Sequence, residues 1–292
     1  MKVMTDRYSL FNGDCLELMR DIPDKSIDMI LCDLPYSTTQ NHWDSLIPLN
    51  DYVLINNKKI EKQEYYMIQA LNGLIKKDID KEWNKNKIDG LWTHYNRIIK
   101  DNGAIVLFAQ TPFDKVLGSS NLKMLKYEWI WEKTTATGHL NAKKMPMKAH
   151  ENILVFYKKL PTYNPQKTTG HTPVHSYTKY QDDGSNYGKT AVGISGGGST
   201  ERYPRSVQVF KTDKQKCALH PTQKPVSLCE FLVKTYTNEN ELILDNTMGS
   251  GSIGVASLNL NRRFIGMELE KKYFDIAKNR LEEVVNTNKY NL

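Results

Sequence analysis

The chain has 292 residues, of which 39% are hydrophobic and 25% charged, with a formal net charge of +7 and a sequence pI near 9.0. That is the composition of an ordinary globular protein, long enough for one large α/β domain with insertions or two smaller ones. No stretch approaches the roughly 20 apolar residues of a membrane helix, so no spanning helix is expected, and the basic excess points to a polyanionic partner.

In chain order, RYSLFNG (7–13) predicts a short strand ending at Gly13-Asp14. An amphipathic helix follows, with Leu16, Met19 and Ile22 on one face and Pro23 as its stop. IDMILC (27–32) is a continuous apolar run, the pattern of a central strand covered on both faces. It stops at Asp33, followed by Leu34-Pro35-Tyr36 and a polar loop. The Lys- and Asn-rich stretch at about 50–90 reads as an insertion, with VLINNKKI as a hairpin and Tyr65, Ile68, Leu71 and Ile75 at helical spacing. A helix near 82–100, with Trp92, Tyr95, Ile98 and Ile99 inward, is expected to end at the turn Asp101-Asn102-Gly103. Strand AIVLFA (104–109) and a helix near 112–120 come next. YEWIWEK (127–133) and ENILVFY (151–157) read as an antiparallel pair joined by a Lys-rich loop.

Residues 158–219 change character: Gly, Ser, Thr and Lys dominate, yet Tyr163, Tyr177, Tyr180, Tyr187, Tyr203 and Phe210 recur. The reading is an irregular but ordered small region. After Pro225 a helix runs to about Tyr236, then strand ELILD (241–245), the turn NTMGSGS, a helix over 252–260, strand RFIGMEL (263–269) and a final helix over 271–285. Repeated strand–helix units with buried apolar strands predict an α/β fold, a doubly wound, mostly parallel sheet of Rossmann type.

Two segments carry chemistry. Asp245 ends a strand, Gly249-x-Gly251 turns the chain, and a helix starts at once, offering free backbone N–H groups. Glu268 ends a second strand some twenty residues on, where an acid can accept hydrogen bonds from ribose hydroxyls. With Gly254 the dinucleotide pattern is formally met, so NAD stays open. Asp245 and Asn246 before the glycines suit a cofactor with a cationic amino group better than a diphosphate, which favours S-adenosylmethionine.

Asp33-Leu34-Pro35-Tyr36 resembles the (Asp/Asn/Ser)-Pro-Pro-(Tyr/Phe) motif of methyltransferases acting on exocyclic amino groups of nucleic-acid bases. The order of blocks, with FNGDCLEL, DLPY, KAHENILVFYKK, HPTQKP (220–225) and the glycine turn last, is similar to the β group of DNA amino-methyltransferases of phage and bacterial type. The resemblance implies a Rossmann-like S-adenosylmethionine-dependent methyltransferase fold with an antiparallel hairpin. The catalytic and cofactor-binding domain would take residues 1–157 and 220–292, and 158–219 would be the target-recognition region.

It further implies adenine-N6 methylation of double-stranded DNA by base flipping, with cytosine-N4 as the alternative and a non-catalytic DNA-binding protein as a different class. Asp33 and the Leu34 carbonyl would accept the amino hydrogens, Pro35 would stiffen the turn and Tyr36 would stack on the base. Leu34 departs from the family's usual first Pro. Asp14 is expected at the cofactor adenine, with Thr222 or Lys224 near the cofactor carboxylate. DNA-facing candidates are Asn41, His42 and Trp43 beyond the motif, Lys143 and Lys144 in the Lys-rich loop, and Lys179, Lys189, Arg202 and Arg205 in the basic region.

No metal is expected: His171, His175, Cys217 and His220 mimic zinc spacing, but His220 belongs to the HPTQKP block. The four cysteines lack a CxxC pair and read as reduced thiols, and MKVMTDRYSL lacks a signal-peptide core, so a cytoplasmic location is expected. Homodimerisation and a cognate restriction enzyme stay open.

Overall fold

A computed structural model describes residues 1–36, 45–178, 193–213 and 223–289. Strand β1 (Lys2–Met4), absent from the expected elements, folds back antiparallel on β2 (Tyr8–Asn12). The Asp14 carboxylate accepts from Leu16 N at 2.8 Å and so caps α1 (Cys15–Leu18), a single turn continued by a 3-10 turn over Met19–Asp21. Met19 and Ile22 of the expected apolar face are buried. Strand β3 (Ile27–Asp33) is the apolar run, with Met29 and Leu31 packing on one side of the sheet and Ile30 and Cys32 on the other.

The insertion forms hairpin β4 (Tyr52–Ile55) and β5 (Lys58–Glu61), then helices α2 (Lys62–Leu71) and α3 (Lys76–Asn86). Val53, Ile60, Tyr65, Ile79 and Trp83 make a small core of their own. Leu71 and Ile75, read as part of the apolar face, are instead exposed, because α2 ends at Leu71 and the chain turns away before α3. The helix expected over 82–100 is two helices, since residues 87–90 are diverted: Ile88 pairs with Tyr52, and Asp51 caps α4 (Leu91–Ile98) by accepting from Gly90 N at 2.9 Å and Thr93 Oγ1 at 2.6 Å.

Strand β6 (Ile99–Ala109) begins earlier than expected and absorbs Asp101-Asn102-Gly103 as a register shift against β3, where Ile27 faces Ile99 but Met29 faces Ala104. Helix α5 (Phe113–Ser120) leads to β7 (Leu125–Thr137) and β8 (Lys148–Phe156), the expected antiparallel pair.

The chain forms two compact units, Met1–Asn164 with Ser206–Leu292, and Pro165–Arg205. Within the smaller unit, Thr168 and Arg202 exchange backbone hydrogen bonds of 3.0 and 2.9 Å, and β9 (Tyr177–Thr178) pairs with β10 (Ser195–Gly196). Lys167 joins Glu201 at 2.9 Å and lies over the Tyr203 ring. This unit is narrower than 158–219, because β11 (Val207–Phe210) joins the main sheet parallel to β7.

The chain closes with α6 (Val226–Tyr236), β12 (Leu242–Asp245), α7 (Ser252–Asn259), β13 (Arg263–Glu268) and α8 (Lys271–Lys289). The main sheet runs β1-β2-β13-β12-β3-β6-β8-β7-β11, parallel from β2 through β6. Leu228, Leu232, Ala256, Phe274 and Leu281 from α6, α7 and α8 pack on one face, and Trp92, Tyr95, Phe113 and Leu117 from α4 and α5 on the other. Among the described residues no helix is long and apolar enough to cross a membrane.

Candidate active site

In a parallel sheet covered on both faces, ligands meet the protein outside the carboxyl ends of the strands. Four neighbouring strands, β2, β13, β12 and β3, each deliver an acid there: Asp14 just past β2, then Glu268, Asp245 and Asp33 at the strand tips. All four line one cavity of 500 Å³, with Pro35, Tyr36, Gln110, Lys133, Glu151, Lys224 and the 245–250 turn.

At one end the chain turns through Gly249 (φ +50°) and Gly251 (φ +78°), backbone angles that favour glycine. Glu268 fastens this turn, accepting from Gly249 N at 2.9 Å and from Glu270 N at 2.8 Å. Burial nonetheless raises its pKa against the pull of those N–H groups. Gly251 does not line the cavity; it caps α7 and sits against Ala277 of α8. Asp245 is 2% exposed and accepts from Thr247 N at 3.1 Å. Burial, reinforced by the neighbouring acids Asp33 and Glu268, pushes its pKa up to about 8.

Asn246, expected to meet a ligand, spends its amide internally: Oδ1 accepts from Tyr95 OH at 2.5 Å and Cys32 Sγ at 2.9 Å, and Nδ2 reaches Cys15 Sγ at 3.5 Å. It ties β12 to β3, α1 and α4. The Asp14 carboxylate likewise caps α1 with one oxygen.

At the other end Asp33 leaves β3 with both carboxylate oxygens engaged: Tyr36 OH donates to Oδ1 at 2.5 Å and Lys224 Nζ to Oδ2 at 2.5 Å. Tyr36 is stacked on Phe113 with ring centroids 5.3 Å apart. Leu34 packs its side chain into the core. Thr247 Oγ1 donates to the Asp33 carbonyl at 3.1 Å, so the glycine turn and the Asp33 loop are tied together.

Lys224 was expected at a cofactor carboxylate. It is 6% exposed and lies between Asp33 and Glu151, 3.3 Å from Glu151 Oε2, while Lys133 Nζ approaches Glu151 Oε1 at 2.6 Å. Sequence reading missed Glu151 and Lys133. The signal available was a charge close to a buried run, Glu151 two positions before Ile153 of ILVF and Lys133 two positions after Trp131 of WIW.

Burial raises Asp33, opposed by Lys224 and aided by Glu151. Burial alone would lower Lys224, but the two carboxylates win and hold it above the usual lysine range. Burial alone would raise Glu151, but Lys224 and Lys133 hold it below the carboxylate range.

The cavity therefore offers acceptors to hydroxyl and cationic groups at the glycine end, and an oriented carboxylate beside an aromatic ring at the other. That donor and acceptor set fits a nucleoside carrying an ammonium group, with an amine-bearing planar substrate next to it.

Of the remaining candidates, Asn41, His42, Trp43, Lys179, Lys189 and Thr222 lie outside the described residues. Lys143 and Lys144 are exposed between β7 and β8. In the smaller unit Arg205 is exposed, whereas Arg202 turns its guanidinium onto the carbonyls of Ser199, Glu201 and Thr172 and braces its own loop.

Comparison with known proteins matches residues 27–279 to the family model for DNA methylases of the N6/N4 type. The type II methyltransferase M2.MboI of Moraxella bovis is 25% identical over 289 residues, covering 95% of this chain and 88% of its own. M.BglII of Bacillus subtilis is 27% identical over 271 residues, covering 92% and 67%. The crystal structure of the M1.HpyAVI–SAM complex superposes with a TM-score of 0.57 at 22% identity, covering 94% of this chain and 98% of that one. The cytosine-N4-specific PvuII DNA methyltransferase gives 0.58 at 14%, covering 97% and 92%. The two superpositions support the fold, and the family match reaches from β3 into the last helix: this chain belongs to the N6/N4 amino-methyltransferase family of DNA methylases.

Proposed function

We propose that the protein transfers a methyl group from S-adenosylmethionine to the N6 amino group of adenine in duplex DNA. The observation that carries this reading is the Asp33-Leu34-Pro35-Tyr36 loop, held at the tip of β3 and tied through Thr247 to the glycine turn of the neighbouring strand β12. When bound, S-adenosylmethionine supplies an electrophilic methyl on a sulfonium. The residues around it must place a weak nucleophile in line, because an exocyclic amine shares its lone pair with the ring.

Asp33 does this by accepting amino hydrogens. A carboxylate has about four lone-pair positions, and Tyr36 and Lys224 use two of them. With the Leu34 carbonyl as second acceptor, the nitrogen is drawn towards tetrahedral geometry and its lone pair is freed. Tyr36, fixed by Phe113 and by its bond to Asp33, offers a ring on which the base stacks. Preorganised acceptors and positioning carry the catalysis.

The target amine lies inside a paired stack, so the base is swung out at a cost of a few kcal/mol. Lys143, Lys144 and Arg205 suit phosphate contact, with base reading assigned to the region between β8 and α6. Asp at the head of the motif supports adenine. Cytosine-N4 is the second reading, since the same acceptors serve either amine and the PvuII enzyme shares the fold.

The test is transfer of labelled methyl from S-adenosylmethionine to duplex DNA. Wild type is expected to be active, and Asp33→Ala to lose about 10²–10³-fold in kcat or more while still binding cofactor. Full activity in Asp33→Ala would refute the mechanism, and a wild type that binds DNA without turnover would favour a non-catalytic role.

A further inference from the structure

A lysine ammonium out of water is costly unless fully paired, and Lys224 sits inside the cavity wall at 6% exposure. Its ammonium donates to Asp33 Oδ2 at 2.5 Å and forms an ion pair with Glu151 Oε2 at 3.3 Å, with the rings of Phe108 and Tyr36 at 5.2 and 5.7 Å. Glu151 is held in turn by Lys133, whose Nζ lies over the Trp131 ring at 5.1 Å. The result is a chain of alternating charge, Asp33–Lys224–Glu151–Lys133, drawn from the end of β3, the segment before α6 and the interiors of β8 and β7.

Resting on the functional reading above, we propose that Lys224, backed by Glu151 and Lys133, is a positioning residue for catalysis that keeps the Asp33 carboxylate ionised and turned into the cavity. The geometry favours this over a hold on cofactor: the ammonium is already paired with two carboxylates, and a third anion there would meet Asp33 and Glu151 at once. Asp33 can keep Lys224 and Tyr36 and still accept from a substrate amine, because each partner takes one lone pair of a different oxygen.

The pH behaviour follows from the groups facing Asp33. Lys224 comes from the segment before α6, Glu151 from β8, Tyr36 from the same loop, Asp245 from β12 and Cys229 from α6. Of these Lys224 alone is cationic, and burial and the neighbouring acids all push Asp33 towards its protonated form, which accepts less. Removing the ammonium moves the acidic limb of the rate profile to higher pH.

The experiment compares wild type with Lys224→Met, Lys224→Arg and Glu151→Gln. We expect Lys224→Met to lose about 100-fold in kcat, with the KM and Kd for S-adenosylmethionine unchanged within about threefold and the acidic limb of kcat shifted up. Lys224→Arg recovers most of the loss. Glu151→Gln, which keeps shape and a neutral partner, shows a smaller loss of kcat through looser placement of Lys224 but no upward shift of the acidic limb, because the Glu151 charge itself pushes Asp33 towards its protonated form; it serves where Lys224→Met does not fold. The Asp33 carboxyl is also titrated by ¹³C NMR in chain free of DNA and cofactor, where its midpoint should rise in Lys224→Met whatever the substrate proves to be. A loss confined to cofactor affinity, or an Asp33 titration indifferent to Lys224, would overturn the proposal. Absence of methyl transfer by wild type would instead count against the functional reading.

Discussion

Asp245 gives the most quantitative handle on the site, because its carboxyl is buried at the tip of β12, with the Thr247 N–H and the Cys32 thiol as partners and acids on either side. Its pKa of about 8 in the folded chain lies well above the ordinary carboxylate value of about 3.9 in an unfolded one. Between those values the folded chain keeps a proton that the unfolded chain has released, so stability falls as pH rises through that window, by at most ~1.4 kcal/mol per pH unit. From pH 5.5 to 7.5 the loss is about 2–3 kcal/mol, or about 4–8 °C in Tm for a chain of this class.

Asp245→Asn removes the titration and keeps the shape. Thermal melts of cofactor-free protein should show the variant more stable than wild type at pH 7.5, with the gap narrowing steadily towards pH 5. Taking the difference between the two chains cancels groups that titrate in both. A gap that ignores pH, or a variant less stable at pH 7.5, would refute the argument. The same carboxyl is the proposed partner of a cationic cofactor group, so the gain in stability should come with weaker S-adenosylmethionine binding, as expected of a site held at some cost to the fold.

Two further expectations concern the glycine end. Glu268→Gln leaves one acceptor oxygen for the two N–H groups now served, Gly249 and Glu270, and should weaken S-adenosylmethionine binding about tenfold or more, for a charge-assisted bond of about 1.5–3 kcal/mol; calorimetric titration would read it. Gly266→Ala places a Cβ 2.4 Å from Met248 Sδ and 2.7 Å from Phe264 Cε1. It should cost about 1–3 kcal/mol by denaturant unfolding and displace the Met248 turn, so that cofactor affinity falls with stability.

What the sequence made legible follows from local pattern. The apolar runs at 27–32, 104–109 and 241–245 could only be buried strands, and the Gly249-x-Gly251 turn between ELILD and a helix placed one end of the site. Asp33-Leu34-Pro35-Tyr36 placed the other. Less legible were features decided by distant partners. Strand β11 hides in a Lys-rich stretch because an edge strand of four residues needs little apolar sequence when β7 supplies the ladder. The split between α3 and α4 depends on Asp51, some forty residues upstream of the backbone it caps. Asp33 and Lys224 are 191 positions apart, and only the strand order brings Glu151 against both. A buried lysine cannot be told from a solvated one by its neighbours in HPTQKP, which is why Lys224 was expected at the cofactor. Asn246 was read as a ligand contact next to an acidic strand tip; it does line the cavity, but the sequence does not reveal the Tyr95, Cys32 and Cys15 partners that engage its side chain.

The central claim is that the Asp33 loop presents a base amine to S-adenosylmethionine. Its most direct test is nucleoside mass spectrometry, with modification-sensitive sequencing, of DNA from cells expressing wild type or Asp33→Ala. The account predicts N6-methyladenine at a defined sequence with wild type and little or none with Asp33→Ala. N4-methylcytosine in its place would contradict the adenine assignment, and unmodified DNA from cells holding folded wild-type protein would contradict the account as a whole.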